Sequence, residues 1–509
     1  MSSPFRRTLG GLTAAAVMLA SAGCSSSTGG DKFHGLAAEV APAVTTSAPA
    51  VRPNIVFVLT DDLSKNLVQY MPNVIALQMA GTTFTNYTVT DSLCCPSRAS
   101  IFTGQYPHNT GIYKNHGSDG GFRLFNSRGE EKSTYATDLQ AAGYRTAFMG
   151  KYLNEYEPGN KKITGTPYTP PGWDDWVVGG NAYKNFDYTL NENGVVKKYG
   201  HTAKDYLNDV LSTKANEFVT TSAASGKPFM IEVASYSPHA PYTPAPQDTN
   251  AFPGLKAPRT AAYNTVPQGS AWLARHPALG KKEQAALDQA FRRRVQAVQS
   301  VDRMLGSLRE TLVKAGVADN TVVIFSSDNG YHMGEYRLNA GKQTAFDTDV
   351  NVPLVVAGPD IPAGQSVTAS VENIDLRPTF GELAQAATPA TVDGHSFVPL
   401  LRSGTKPAWR TASLVEHHDP ATDPADPDYE KDSINIPPSY DAIRTDTFTW
   451  VEYVDGEREF YDRTTDPFQL RNLAGTLTPQ RVAQLQAAVK ALTSCKGQAA
   501  CWKAGQGIA

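Results

Sequence analysis

Asn54-Ile55-Val56-Phe57-Val58-Leu59-Thr60-Asp61-Asp62 decides the fold class. Its first seven residues are almost wholly apolar and β-branched, with no alternation, which predicts a strand buried on both faces in a parallel sheet. The strand stops at two carboxylates. The same pattern recurs at Phe229-Met230-Ile231-Glu232-Val233-Ala234, leading into Ser237-Pro238-His239, and at Thr321-Val322-Val323-Ile324-Phe325, leading into Asp328-Asn329. In open α/β sheets the ligand crevice lies at the carboxyl ends of the strands, so these three polar groups are expected to converge.

Between the strands, Leu287, Phe291, Val295, Val298, Leu305, Leu308 and Leu312 recur at helical spacing. They predict one long amphipathic helix from about Lys281 to Ala315, stopped by Gly316. A shorter helix is expected from Ala136 to Ala142, before a strand at Arg145 to Met149. This order indicates a doubly wound α/β domain over 51–385. Beyond it, short strand candidates (Ala442 to Arg444, Thr447 to Tyr453) and a helix near Gln480 to Leu492 suggest a smaller α+β domain over 386–509.

The 509 residues suit two to three folding units. With 46 Lys+Arg against 49 Asp+Glu, the global charge does not point to nucleic acid or an anionic membrane as main partner. Residues 1–23 have the parts of an export signal: Arg6-Arg7, an apolar run from Leu9 to Ala22, and small residues. Ala20-Ser21-Ala22 offers a cleavage site for secretion, Gly23-Cys24 a bacterial lipoprotein site with a lipid anchor on Cys24, and Arg6-Arg7 a twin-arginine route. Residues 24–50, rich in Ser, Thr, Ala, Gly and Pro, read as a flexible tether. Cys495 and Cys501 read as a small disulfide of an oxidising compartment. That leaves Cys94-Cys95, and adjacent cysteines rarely bridge each other.

These two stand in Ser92-Leu93-Cys94-Cys95-Pro96-Ser97-Arg98-Ala99-Ser100-Ile101-Phe102-Thr103-Gly104. The segment resembles the signature of the sulfatase family, Cys-x-Pro-Ser-Arg followed by a short helix and Thr-Gly. The resemblance continues through Gly143-Tyr144, Gly150-Lys151, Ser237-Pro238-His239 and Ser327-Asp328-Asn329-Gly330. It implies an alkaline-phosphatase-like fold and oxidation of Cys94 to formylglycine by a separate formylglycine-generating enzyme. The hydrated aldehyde carries two hydroxyls on one carbon, so one can attack sulfur while loss of the other's proton later expels sulfate. A helix beginning near Pro96 would turn its N-terminus, with its N–H donors and dipole, toward the sulfate.

By the same resemblance Asp61, Asp62, Asp328 and Asn329, with residue 94, hold calcium. The all-oxygen ligand types by themselves also allow magnesium. For either pair alone, helix capping would be the plainer role. Arg98, Lys151, His239 and Lys342 match positions that hold formylglycine or polarise the sulfate, His239 being suited to protonate the leaving alcohol. One departure is Leu153, where many sulfatases have the histidine of Gly-Lys-x-His. The stretch Gly150 to Tyr156, the double cysteine and Asp328 to Glu335 look like the N-acetylglucosamine-6-sulfatase branch, with His332 as a further pocket residue.

The expected activity is hydrolysis of sulfate monoesters on a sulfated small molecule or glycan, such as 6-O-sulfated N-acetylglucosamine or aryl sulfates. A formylglycine-dependent phosphonate or phosphate ester hydrolase is the rival. An inactive surface carbohydrate-binding lipoprotein is a third reading, against which the intact motifs argue.

Overall fold

The computed structural model describes residues 52–159, 167–402, 407–418, 428–429 and 435–508. The signal, the tether and Cys24 lie outside them. Residues 51–509 form one compact unit. No described helix is long and apolar enough to cross a membrane.

The central sheet has ten strands. In chain order they are β1 (Asn54–Thr60), β2 (Thr82–Phe84), β3 (Arg145–Lys151), β4 (Asp175–Gly179), β5 (Thr189–Glu192), β6 (Val195–Lys198), β7 (Phe229–Ala234), β8 (Thr321–Ser327), β9 (Leu354–Ala357) and β10 (Gln365–Val367). Their spatial order is β10-β2-β9-β8-β1-β7-β3-β4-β5-β6. The five central strands from β8 to β4 are parallel. Antiparallel pairings bring in β9 on one side and β5 and β6 on the other. The three strands read from the sequence are neighbours, with Leu59 opposite both Ala234 and Ser326, so their polar ends emerge together.

Helices cover both faces of the sheet. On one face α1 (Pro72–Ala80), α4 (Leu207–Ser225) and the long α5 (Lys281–Lys314) bury Leu77, Leu211, Phe291, Val298 and Leu305 against Val56, Val58, Ile231 and Phe325. On the other, α2 (Cys94–Thr103), α3 (Tyr135–Ala141) and α6 (Leu376–Ala384) pack Phe102, Tyr135 and Phe380 against Ile55, Phe57 and Phe148. With both faces covered, the central strands are apolar throughout, and β1 is buried at every residue.

A second, four-stranded antiparallel sheet comprises β11 (Ala412–His417), β12 (Tyr440–Thr445), β13 (Phe448–Tyr453) and β14 (Arg458–Asp462). Alternation decides its seating. Val415, Ala442 and Val451 face the main core, whereas Leu414, Ile443 and Trp450 pack with Leu485, Val489 and Leu492 of α7 (Pro479–Thr493). The expected Cys495–Cys501 disulfide joins the end of α7 to α8 (Gln498–Ala504).

Candidate active site

The site lies at the carboxyl ends of β1, β8, β7 and β3, facing the start of α2. Immediately after β1, Asp62 adopts a left-handed backbone conformation (φ 65°), which short polar side chains tolerate. Its backbone is held on three sides. Asp62 N–H donates to Asp328 Oδ1 (3.2 Å), Leu63 N–H to Ser327 Oγ (2.9 Å), and the buried Arg294 guanidinium to the Asp62 carbonyl. This turn lets both carboxylates of the pair face one point. From β8, the Asn329 amide donates to Asp62 Oδ1 (2.7 Å), tying the two strand ends together.

Cys94 is the first residue of α2, and all ten residues of that helix are buried. Its Sγ lies 3.2 Å from Asp61 Oδ1 and 2.9 Å from Lys342 Nζ. One turn on, Arg98 donates from Nε to Asp328 Oδ2 (2.8 Å) and from Nη1 to the Lys151 carbonyl (2.6 Å), so one side chain spans two strand ends. The expectation of a row of free N–H donors at this helix start needs amending, because Cys95 N–H is bonded to Asn115 Oδ1 (2.9 Å) and Pro96 has none.

Lys151 ends β3, and its Nζ reaches Asp61 Oδ2 at 2.6 Å. The preceding Gly150 is required, since a Cβ there would come within 1.9 Å of the Ala234 carbonyl. Lys342 Nζ donates to Asp62 Oδ1 at 2.7 Å. His239 follows β7; its Nδ1 faces the Ala240 carbonyl (2.8 Å), which turns Nε2 toward Asp62 Oδ2 (3.7 Å). Tyr183 packs against the imidazole with its ring tilted (4.4 Å between centroids) and underlies Lys151 Nζ (5.0 Å).

The structure thus brings together Asp61, Asp62, Cys94, Arg98, Lys151, His239, Asp328, Asn329 and Lys342. Two residues not expected from the sequence join them. Asp428 accepts from His239 Nε2 (3.0 Å) and Lys342 Nζ (3.1 Å). Asn115 donates to the other Asp428 oxygen at 2.7 Å. His332 lines the same cavity and binds Asp349 (2.9 Å). Leu153 is buried in the core.

Charge determines how these groups stand. Burial alone would raise the Asp61 carboxyl, but Lys151, His239, Arg98 and Lys342 hold it well below the usual range. Burial would likewise strip Lys151 and Lys342 of protons, and the facing carboxylates, Asp61 for Lys151 and Asp428 for Lys342, keep them charged. Against the same effect, Asp62, Asp61 and Asp428 raise His239. Burial and the Asp61 charge push the Cys94 thiol up, so as a thiol it stays protonated and a poor nucleophile.

A cation fits between the two strand ends. Asp62 Oδ2 and Asn329 Oδ1 are buried without a hydrogen-bond partner, a costly arrangement that a coordinated ion relieves. Donor atoms of Asp61, Asp62, Cys94 and His239 lie within 4.8 Å of one another. The oxygens of Asp61, Asp62, Asp328 and Asn329 are what a hard divalent cation takes.

Residues 53–386 match the sulfatase family, and residues 334–494 match the C-terminal region of N-sulphoglucosamine sulphohydrolase. The chain belongs to the sulfatase family and is a sulfatase enzyme. Within that family it is similar to the N-acetylglucosamine-6-sulfatase of Capra hircus, at 35% identity over 88% of this chain and 84% of that protein. The Homo sapiens N-acetylglucosamine-6-sulfatase is 34% identical over 88% and 85%. Among solved structures, a protein in complex with its substrate D-glucosamine-2-N,6-O-disulfate superimposes with a TM-score of 0.72 at 23% identity, covering 86% of this chain and 97% of that one. A phosphonate monoester hydrolase from Silicibacter pomeroyi gives 0.65 at 22% identity, covering 86% and 94%. At these identities the structural matches speak to the fold, which is the alkaline-phosphatase-like one.

Proposed function

We propose that this sulfatase hydrolyses sulfate monoesters of glucosamine-type sugars, with formylglycine derived from Cys94 as nucleophile and a divalent cation, calcium, held by Asp61, Asp62, Asp328 and Asn329. The observation that carries the reading is the seat of Cys94 Sγ, between Asp61 Oδ1 at 3.2 Å and Lys342 Nζ at 2.9 Å, at the first residue of α2. A buried thiol kept protonated there has no evident use, whereas a hydrated aldehyde in that place has acid and base partners at hand. When bound, the cation supplies positive charge for the nucleophile and for the sulfuryl oxygens.

The chain's own residues account for the rest. Lys151 and Arg98 fix Asp61 and Asp328. Lys342 and His239 present N–H donors into the cavity, where charge develops as the S–O bond breaks. His239 Nε2 is placed to donate a proton to the departing alcohol, with Nδ1 anchored by the Ala240 carbonyl. The names of the relatives, N-acetylglucosamine-6-sulfatases, support a 6-O-sulfated N-acetylglucosamine unit as substrate, free or in a glycan. Arg6-Arg7 and the apolar run to Ala22 support export, as do relatives named extracellular sulfatases.

The test is a kinetic comparison of N-acetylglucosamine 6-sulfate, an aryl sulfate and the phosphate ester of the same aryl alcohol, using enzyme matured with a formylglycine-generating enzyme. The reading expects kcat/KM highest for the sugar sulfate. Preference for the phosphate ester would replace it by the phosphonate or phosphate hydrolase reading.

A further inference from the structure

Asn115 occupies a place that the mechanism above leaves unused. Its loop is tied down by backbone bonds from Tyr113 and Lys114 N–H to the Asp119 carbonyl (2.7 and 3.1 Å) and from Gly121 N–H to the Lys114 carbonyl (3.0 Å). Gly120 allows that closure, since a Cβ there would lie 1.7 Å from the Lys114 carbonyl oxygen. The Asn115 side chain, 1% exposed, is therefore presented in a fixed direction. Its Oδ1 must face Cys95 N–H, an obligate donor, so its NH2 group faces the cavity.

What that NH2 group meets is an oxyanion. Asp428 Oδ2 takes the Asn115 donor at 2.7 Å and lies 3.9 Å from Cys94 Sγ, while Asp428 Oδ1 takes His239 Nε2 at 3.0 Å and Lys342 Nζ at 3.1 Å. Three donors from three separate segments thus grip the two oxygens of one anionic group beside the nucleophile. Two oxygens of a sulfate are spaced much as those of a carboxylate, so the same cradle accepts a sulfuryl group. We propose that Asn115 is a catalytic residue, the neutral third donor to the sulfuryl oxygens alongside His239 and Lys342, and that Asp428 occupies this cradle until substrate displaces it.

This assignment rests on the sulfate-ester reading above. The test uses the full chain and inorganic sulfate as probe, comparing Asn115→Asp, Asn115→Ala and Asp428→Asn with the parent. Asn115→Asp keeps the volume and the acceptor for Cys95 N–H but loses the donor. It should raise the inhibition constant of sulfate and lower kcat/KM by about tenfold or more each, the effect of losing a charge-assisted hydrogen bond. Its formylglycine content should match the parent, which a failure of folding or maturation would not allow, whereas its melting temperature should fall, because the new carboxylate faces Asp428 where the amide stood at 2.7 Å. Asn115→Ala, which adds no charge, should weaken sulfate in the same direction and serves if the aspartate variant does not fold. Asp428→Asn should bind sulfate more tightly than the parent, by about threefold or more. Sulfate inhibition and kcat/KM within twofold of the parent in both Asn115 variants would overturn the donor role. Unchanged or weaker sulfate binding in Asp428→Asn would overturn the occupancy. A parent that turns over phosphate but not sulfate esters would instead defeat the substrate reading, and the same variants read with inorganic phosphate would still decide the role of Asn115.

Discussion

Replacing Glu232 by Gln should stabilise the protein at pH 8 and leave it nearly unchanged at pH 5. Glu232 lies inside β7, wholly buried, with its carboxyl receiving the Tyr135 hydroxyl and its Oε1 without a hydrogen-bond partner. Burial raises its pKa from 4.5 to about 7, against the pull of the Tyr135 hydrogen bond and Arg98. As pH rises through that interval the unfolded chain releases this proton while the folded chain retains it, so stability falls with rising pH. The loss is about 1.4 kcal/mol for each pH unit between the two values, hence about 3 kcal/mol once pH exceeds 7. Glutamine cannot ionise and keeps an acceptor for Tyr135. The variant should therefore exceed the parent by about 3 kcal/mol at pH 8 and by less than about 1 kcal/mol at pH 5. Urea unfolding at pH 5, 6, 7 and 8 measures this. Activity should survive, because Arg98 is held by Asp328 and the Lys151 carbonyl without Glu232. Parallel pH profiles for variant and parent would refute the reasoning.

Three further outcomes are expected. Cys94→Ser offers one hydroxyl where the hydrated aldehyde has two, so it should release at most one equivalent of alcohol and retain a stable sulfate ester on that side chain; sustained turnover near the parent rate, followed over many equivalents, would exclude this. Asp61→Ala and Asp328→Ala should each lose bound calcium, measured by elemental analysis after gel filtration, and with it turnover; full metal content in either variant removes that residue from the ligand set. Replacing Cys495 and Cys501 by Ser should cost about 2 kcal/mol of stability, as opening a short loop does, with kcat unchanged, read by thermal unfolding with and without reductant.

Much of this site is legible in sequence because its parts sit at the ends of regular elements. The apolar runs of β1, β7 and β8 are continuous because both sheet faces are covered, and Asp61, His239 and Asp328 follow where those runs stop. Cys94 and Arg98 are one helical turn apart, which is why both meet the same strand ends. Lys342, matched by resemblance alone, does contact the Cys94 sulfur. Asn115 and Asp428 carried no such signal. They stand 313 positions apart, joined by tertiary convergence, and nothing in the sequence of Lys114-Asn115-His116 or Asp426-Pro427-Asp428 has a periodicity that points inward. Strand β9 and the hairpin of β5 and β6 were also hidden, because their short runs take sides only from neighbouring strands. Glu232 broke an apolar run without revealing that its partner would be Tyr135, from α3 on the sheet's other layer.

The central claim is that residue 94 works as an aldehyde. Trypsin cleaves after Lys65 and Arg98, so the peptide Asn66–Arg98 carries both cysteines. Mass spectrometry of that peptide from enzyme of known specific activity, with aldehyde-directed labelling and thiol alkylation, should show formylglycine at position 94, an alkylated thiol at Cys95, and activity proportional to the aldehyde fraction. Fully active enzyme in which Cys94 is recovered as an intact thiol would contradict the account.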